Sequence, residues 1–194
     1  MANIKNIVQV MNFHSLIRVD KAKREANKYF GVEDEINRLL YSITNNKNLK
    51  LDKKLLLTNN KGIILNIYIG NDLGFCGDFN YLLQKSVRED KEAYKIVIGK
   101  KLFQKIDDKI ILKIEKDKFL DEYYKIDDII SDYISNKKIK EINVVFNHYY
   151  NVNDIRFERK KLFPLDINIE DKKDINLDVD YVMETDVNEL ISYL

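Results

Sequence analysis

The residues best placed to do chemistry run Gly70-Asn71-Asp72-Leu73-Gly74-Phe75-Cys76-Gly77-Asp78-Phe79-Asn80. They follow an apolar run and precede a helical pattern, the junction at which α/β proteins hold phosphate on backbone N–H groups. A phosphate cradle is therefore one reading of the turn. Two features oppose it. No Gly-Lys-Ser/Thr follows, so the P-loop pattern fails. Asp78 also brings a carboxylate to the expected helix start, where it would cap the helix itself. A structural strand-to-helix turn is preferred, with a phosphorylated ligand at Gly70–Gly77 as the alternative.

The remaining reactive side chains do not assemble a site. A helix N-terminus would lower the thiol pKa of Cys76, but Asp72 and Asp78 would raise it and no histidine lies near in sequence. Cys76 reads as a small buried residue. His14 and His148, the only histidines, lie far apart in the chain. Asp174, Asp178 and Asp180 lack the spacing, central glycine and final glutamate of a calcium loop. Nucleophile, base and oxyanion donor do not occur together, so no catalytic, metal-binding or cofactor-binding residue is expected.

The elements that position these residues follow from periodicity. Ile4, Ile7, Met11, His14 and Ile17 recur at spacings of three and four, the apolar stripe of a helix. The pattern resumes at Val32, Ile36, Leu39 and Ile43, giving one helix from Asn3 to about Asn45 with Gly31 as its weak point. So long a helix with a narrow stripe suits pairing with one partner. Beyond it, strands are expected at Lys54–Leu57, Ile63–Ile69, Tyr94–Ile98, Lys109–Ile114 and Ile142–Tyr149, with an exposed strand around Asp154–Lys161. Helices are expected at Asp78–Lys91, Lys100–Ile106 and Phe119–Ser135. A polar loop over Asp166–Asp180, a short strand at Tyr181–Met183 and a closing helix at Asp186–Leu194 complete the pattern. Strands alternating with helices predict a three-layer, Rossmann-like α/β domain with a mostly parallel sheet. The expected division is residues 1–46 for the long coiled-coil-type helix and 47–194 for the globular domain.

The 194 residues balance 33 Lys and Arg against 32 Asp and Glu, a formal charge of +1. A nucleic-acid binder needs a basic surplus that this chain lacks, and an acidic disordered chain is equally excluded. One cysteine excludes an internal disulfide framework and fits a reducing compartment. No apolar run approaches the ~18–20 residues of a membrane span, so a soluble cytoplasmic protein is expected.

The same turn resembles a motif of the gamma subunit, or central stalk, of F-type ATP synthases and related rotary ATPases. That motif runs Ser/Thr-Asp-x-Gly-Leu-Cys-Gly-Gly-x-Asn after an apolar strand. Asp72, Gly74, Cys76, Gly77 and Asn80 match it, while Asn71, Leu73, Phe75 and Asp78 depart. Met1-Ala2-Asn3-Ile4-Lys5 is similar to the family's opening Met-Ala-x-Leu/Ile-Lys, and Ile98-Gly99-Lys100-Lys101 to its Gly-x-Lys turn. Val144–Tyr149 resembles Val-Tyr-Asn-x-Phe, and Leu162-Phe163-Pro164-Leu165 resembles Leu-Leu-Pro-Leu. Tyr181–Asp186 resembles Tyr-Ile-Phe-Glu-Pro-Asp. The matches are collinear and span nearly the whole chain.

The resemblance implies a non-catalytic subunit that couples ATP hydrolysis or synthesis in a hexamer of alpha- and beta-like subunits to rotation or mechanical work, gliding motility included. It implies that Ile4, Ile7, Met11, His14 and Ile17 contact those partners. The family continues into a long C-terminal helix that pairs with the N-terminal one, whereas this sequence stops at Leu194. A shortened gamma is therefore expected. Its missing helix could be supplied by another chain or an epsilon-like subunit, the shaft could be a single helix, or the subunit could be repurposed. The complex would lie in the cytoplasm or peripherally at the inner face of the membrane. Alternatives are a stand-alone ligand-binding α/β protein and a non-rotating adaptor.

Overall fold

The computed structural model describes residues 2–45, 59–73, 78–103, 107–136, 138–151 and 154–164. The chain divides into two units, Met1–Asp52 with Ile167–Leu194, and Lys53–Asp166. The described part of the first is one helix, α1, Ala2–Asn45. Its 44 residues span about 66 Å at ~1.5 Å per residue. Gly31 is helical and no atom lies within 4 Å of where its Cβ would be. It is neither a break nor a packing necessity, and costs ~1 kcal/mol relative to alanine. The exposed pairs Asp20–Arg24 and Glu35–Arg38 sit one turn apart on the helix and return a few tenths of a kcal/mol each.

The second unit is built on a five-stranded sheet: β1 Ile63–Ile69, β2 Tyr94–Ile98, β3 Ile110–Ile114, β4 Ile139–Asn151 and β5 Asp154–Phe163. The order is β3-β2-β1-β4-β5; the first four are parallel and β5 runs antiparallel to β4. Alternation along the strands sends side chains to two faces. Leu65, Ile67, Ile96, Ile98, Ile114 and Ile142 pack with Ile126 of helix α4 (Tyr124–Ser135). Tyr68, Val97 and Val145 pack on the other face with Leu83 and Val87 of helix α2 (Phe79–Glu89). This is the three-layer, mostly parallel α/β domain that the alternation predicts, with β1 apolar on both faces because both are covered.

A row of buried polar residues crosses the α2 face. Asn66 stands beside Lys95 on one side and Asn143 on the other. Asn143 Nδ2 donates to Asn66 Oδ1 (2.9 Å), and Asn66 Nδ2 to Asp90 Oδ2 (2.6 Å), which also accepts from the Tyr68 hydroxyl (2.9 Å). Burial, reinforced by the Asp90 charge, pushes the Tyr68 phenol up to about 12. The Lys95 ammonium is 1% exposed and meets Asp107 Oδ2 at 2.7 Å. Because a one-residue slip would throw each of these groups onto the opposite, apolar face, the row fixes the strand register.

The structure differs from the sequence pattern in several places. The segment Lys100–Ile106 forms only a 3₁₀ turn, Lys100–Leu102, within its described part. Leu102 is fully buried there, against Gly70, where an added Cβ would stand 2.6 Å from the leucine side chain. The helix expected over Phe119–Ser135 is two pieces, α3 (Phe119–Glu122) and α4, separated at Tyr123. β4 starts at Ile139, three residues early, where the charged Lys140 and Glu141 obscure the apolar pattern. Asp78 occupies the N-cap position of α2 but its carboxylate makes no capping bond. The expected elements at Lys54–Leu57, Tyr181–Met183 and Asp186–Leu194, and the loop Asp166–Asp180, lie outside the described residues.

Candidate functional site

The motif turn lies at the carboxyl end of the parallel strands. Asp72, three residues past β1, is its hub. Its Oδ1 accepts the Lys100 N–H (2.6 Å) from the turn after β2 and the Lys116 N–H (3.2 Å) from the turn after β3. Burial raises the Asp72 carboxyl, but the backbone N–H groups of Lys100, Lys116 and Asp117 outweigh it and hold the group below its ordinary value. Asn80, on the first turn of α2, closes the loop from the other side. Its Oδ1 accepts the Asn71 N–H (3.2 Å) and its Nδ2 donates to the Leu73 carbonyl (3.3 Å). Gly99 makes the approach possible: its φ of +105° is open to glycine, and an added Cβ would stand 2.8 Å from the Asn71 nitrogen. Gly74, Cys76 and Gly77 lie outside the described residues.

This geometry is that of a clamp joining three strand ends. The N–H groups of Lys100 and Lys116, which a phosphate at these turns could use, already serve Asp72. Replacing Asp72 by alanine should cost about 2–3 kcal/mol, since charge-assisted bonds to backbone donors are lost. The wild type should show the matching pH dependence. A depressed folded-state pKa gives stability that is present above the unfolded value near ~4 and is lost as pH falls through the folded value. Urea unfolding between pH 3 and 7 checks both: the alanine variant should start less stable and lose less on acidification.

Asn147 is a residue that sequence reasoning missed. Its Nδ2 donates to the Phe79 carbonyl and so anchors the start of α2 on β4. Its signal was the asparagine of the Val-Tyr-Asn-x-Phe resemblance over Val144–Tyr149, to which no role was assigned. His148 stacks on Tyr150 (centroids 4.3 Å apart) with Nδ1 3.6 Å from Glu158 Oε2. Among the described residues no group of three or more His, Cys, Asp and Glu side chains is placed to hold a metal ion.

The other expected site is the stripe on α1. Ile4, Ile7, Met11 and Ile17 are exposed at 70, 54, 64 and 47%, and His14 is exposed with them. The stripe is not narrow, however. Val8, Val10, Phe13, Leu16 and Val19 are also exposed, and at ~100° per residue they lie on the flanks and back of the helix. From Ala2 to Val19 the only charges are Lys5 and Arg18. Residues 2–19 of α1 thus carry apolar side chains on every side of the helix, interspersed with the uncharged Asn3, Asn6, Gln9, Asn12 and Ser15, which suits enclosure more than one-sided pairing. The five off-stripe apolar residues were legible in the scarcity of charge, which the search for a single period passed over. Among the described residues no helix is long and apolar enough to cross a membrane.

Known proteins bear on these two features. The family model described as "ATP synthase" matches residues 1–194. The ATP synthase gamma chain of Mycoplasma mobile is 30% identical over 158 residues, which are 76% of this chain and 55% of that one. The chain therefore spans about half the length of the curated relative it matches. Among solved structures, a chain from the central stalk and c-ring of Tetrahymena thermophila mitochondrial ATP synthase aligns at a TM-score of 0.41 and 15% identity, covering 66% of each chain. One from the rotor of Euglena gracilis mitochondrial ATP synthase aligns at 0.41 and 16%, covering 70% of this chain and 58% of that one. The family match runs from the first residue to the last, and on it the chain belongs to the ATP synthase family, among its gamma chains.

Proposed function

We propose that this chain is a non-catalytic, gamma-like central-stalk subunit of an F-type or F-type-derived rotary ATPase. Residues 1–46 serve as the shaft and residues 47–194 as the globular base. The observation that carries the reading is a 44-residue helix whose first half exposes apolar side chains on all sides, in a chain matched throughout by the family. The partners are the alpha- and beta-like subunits of a catalytic hexamer, with an epsilon-like subunit or another chain beside α1. The complex works in the cytoplasm, at the inner face of the membrane. Ile4, Ile7, Met11, His14 and Ile17 contribute to the contact. Because the faces of the helix differ, each catalytic interface meets a different surface and holds nucleotide with a different affinity.

Affinity purification from native cells followed by intact-complex mass spectrometry tests the proposal. One copy with six ATPase-like subunits of two kinds, and ATPase activity that falls when the chain is removed, is the expected result. A hexamer whose activity is indifferent to the chain points to an adaptor. Recovery as a free monomer or homodimer overturns the stalk reading.

A further inference from the structure

The outer side of α3 and α4 carries apolar side chains that the sheet domain does not bury. Ile126, Ile129, Ile130, Tyr133 and Ile134 of α4 pack into the core on the sheet. Helical periodicity turns Tyr124, Asp127, Asp128 and Ser131 away from it, and all four are exposed. The backbone stays in the right-handed helical region through Tyr123 (φ −59°, ψ −31°). Leu120 therefore lies one turn before Tyr124 on the same outer side. It is 81% exposed, the highest value of any large apolar residue among those described. Tyr123 and Tyr124 beside it are 52 and 53% exposed.

The charges around these residues are unequal. Glu115–Ser135 holds seven acidic residues against three lysines, in a chain whose formal charge is +1. Two of the lysines are engaged, Lys118 with Glu115 (3.5 Å) and Lys125 with Glu122 (2.9 Å). At the far end of α4, Lys138 holds Asp132 (3.2 Å). Asp121, Asp127 and Asp128 form no ion pair among the described residues, and Lys116 is the one cation of the segment left to oppose them. A helix start favours acidic residues in its first turn, which accounts for Asp121 in α3 and Asp127 in α4. It accounts neither for Asp128 nor for a leucine left in water.

We propose that this face binds a basic amphipathic helix of another chain. The apolar side of that helix covers Leu120, Tyr123 and Tyr124, and its lysines or arginines meet Asp121, Asp127 and Asp128. Charge complementarity selects this occupant. The same carboxylates repel phosphate, so a nucleic acid or an anionic bilayer is disfavoured. Exposed tyrosine rings also offer faces on which a cation can rest, as the Lys125 ammonium does 5.9 Å from the Tyr124 ring. From Phe119 to Ser135 the two pieces run about 25 Å at ~1.5 Å per residue, enough to seat a helix of four turns. The face belongs to the sheet unit, so its binding holds whether or not α1 is a shaft.

The test uses the full chain and three fluorescein-labelled peptides of about 18 residues, five helical turns. One has leucines at i, i+3, i+4 and i+7 spacing with lysines elsewhere, one carries glutamate in place of each lysine, and one is a scramble of the first. Anisotropy should show the lysine peptide binding at least tenfold more tightly than the other two, and more weakly as salt is raised. Asp121→Lys, Asp127→Lys and Asp128→Lys together should reverse the preference between the lysine and glutamate peptides. Leu120→Ser should weaken the lysine peptide several-fold while circular dichroism of the chain is unchanged. The reversal is the decisive readout, because neither apolar binding to α1 nor loss of folding can produce it. An unchanged preference in the triple variant overturns the proposal, as does equal binding of the scramble, which would leave only a diffuse charge effect. Concentration-dependent self-association of the chain that Leu120→Ser removes also overturns it, by assigning the face to a second copy.

Discussion

Replacing Ile7 and Met11 together by aspartate should remove this chain from its ATPase complex while leaving the sheet domain folded. Both side chains are more than half exposed, so they contribute little to the stability of the chain alone. Buried in an assembly, each is worth ~1.5–3 kcal/mol, and the pair on the order of 10²–10⁴ in affinity. Two unpaired carboxylates in an apolar contact add to the loss. Co-purification with the hexamer measures the outcome, and hydrogen exchange on β1 and β2 reports that the domain survives. The flanking pair Val8→Asp with Leu16→Asp separates two versions of the idea. If the helix is enclosed, this pair should disrupt assembly about as strongly. If only the three-four stripe is in contact, it should leave assembly nearly intact. Complete recovery with the Ile7 and Met11 changes would show that α1 is not the shaft.

Long or strongly patterned elements were legible. Ile63–Ile69 is a strand with the expected bounds, and α1 agrees to within a residue of its start. Both faces of β1 are buried, so its apolar run carried its own signature. The parallel direction of β1 and β2 followed from the crossover helix α2 between them. What failed was local. Lys100–Ile106 has apolar spacing that suits a helix, but the fold uses Leu102 to fill the space beside Gly70, and one 3₁₀ turn suffices. Asp78 had the right type for a cap and occupies the position without making the bond. The carboxylate that matters is Asp72, whose partners Lys100 and Lys116 lie 28 and 44 residues away. A single sequence does not reveal a bond of that separation; only the family motif drew attention to Asp72 and Asn80. The shared face of Ile155, Phe157, Arg159 and Lys161 was equally hidden, since they form a row only once strand pairing is known.

The buried ion pair between Lys95 and Asp107 gives the largest expected effect on the domain itself. Asp107→Asn keeps an acceptor for the Lys109 N–H, which the wild-type Oδ1 serves at 3.0 Å, and removes only the charge. It leaves the Lys95 ammonium, 1% exposed, without a counterion. Breaking such a pair from one side costs about 3–5 kcal/mol, a large part of the ~5–15 kcal/mol that holds a domain of this kind together. Adding Lys95→Met should restore most of the loss, since an apolar side chain of similar length fills the space beneath α2 without a desolvation cost. The sequence contains no tryptophan, so urea unfolding can be followed by tyrosine emission. Acid should imitate the asparagine variant. Burial raises the Asp107 carboxyl, but the bonds from Lys95 and the Lys109 N–H, with the Lys95 charge, outweigh it and hold the group below its ordinary value. Its contribution is therefore present above the unfolded value near ~4 and disappears as pH falls through the folded value. The wild type should lose stability over that interval and the double variant much less. Equal destabilisation of the single and double variants would mean that Lys95 is hydrated when its partner is gone, and that the polar row on this face draws its strength from Asn66, Asn143 and Asp90 alone.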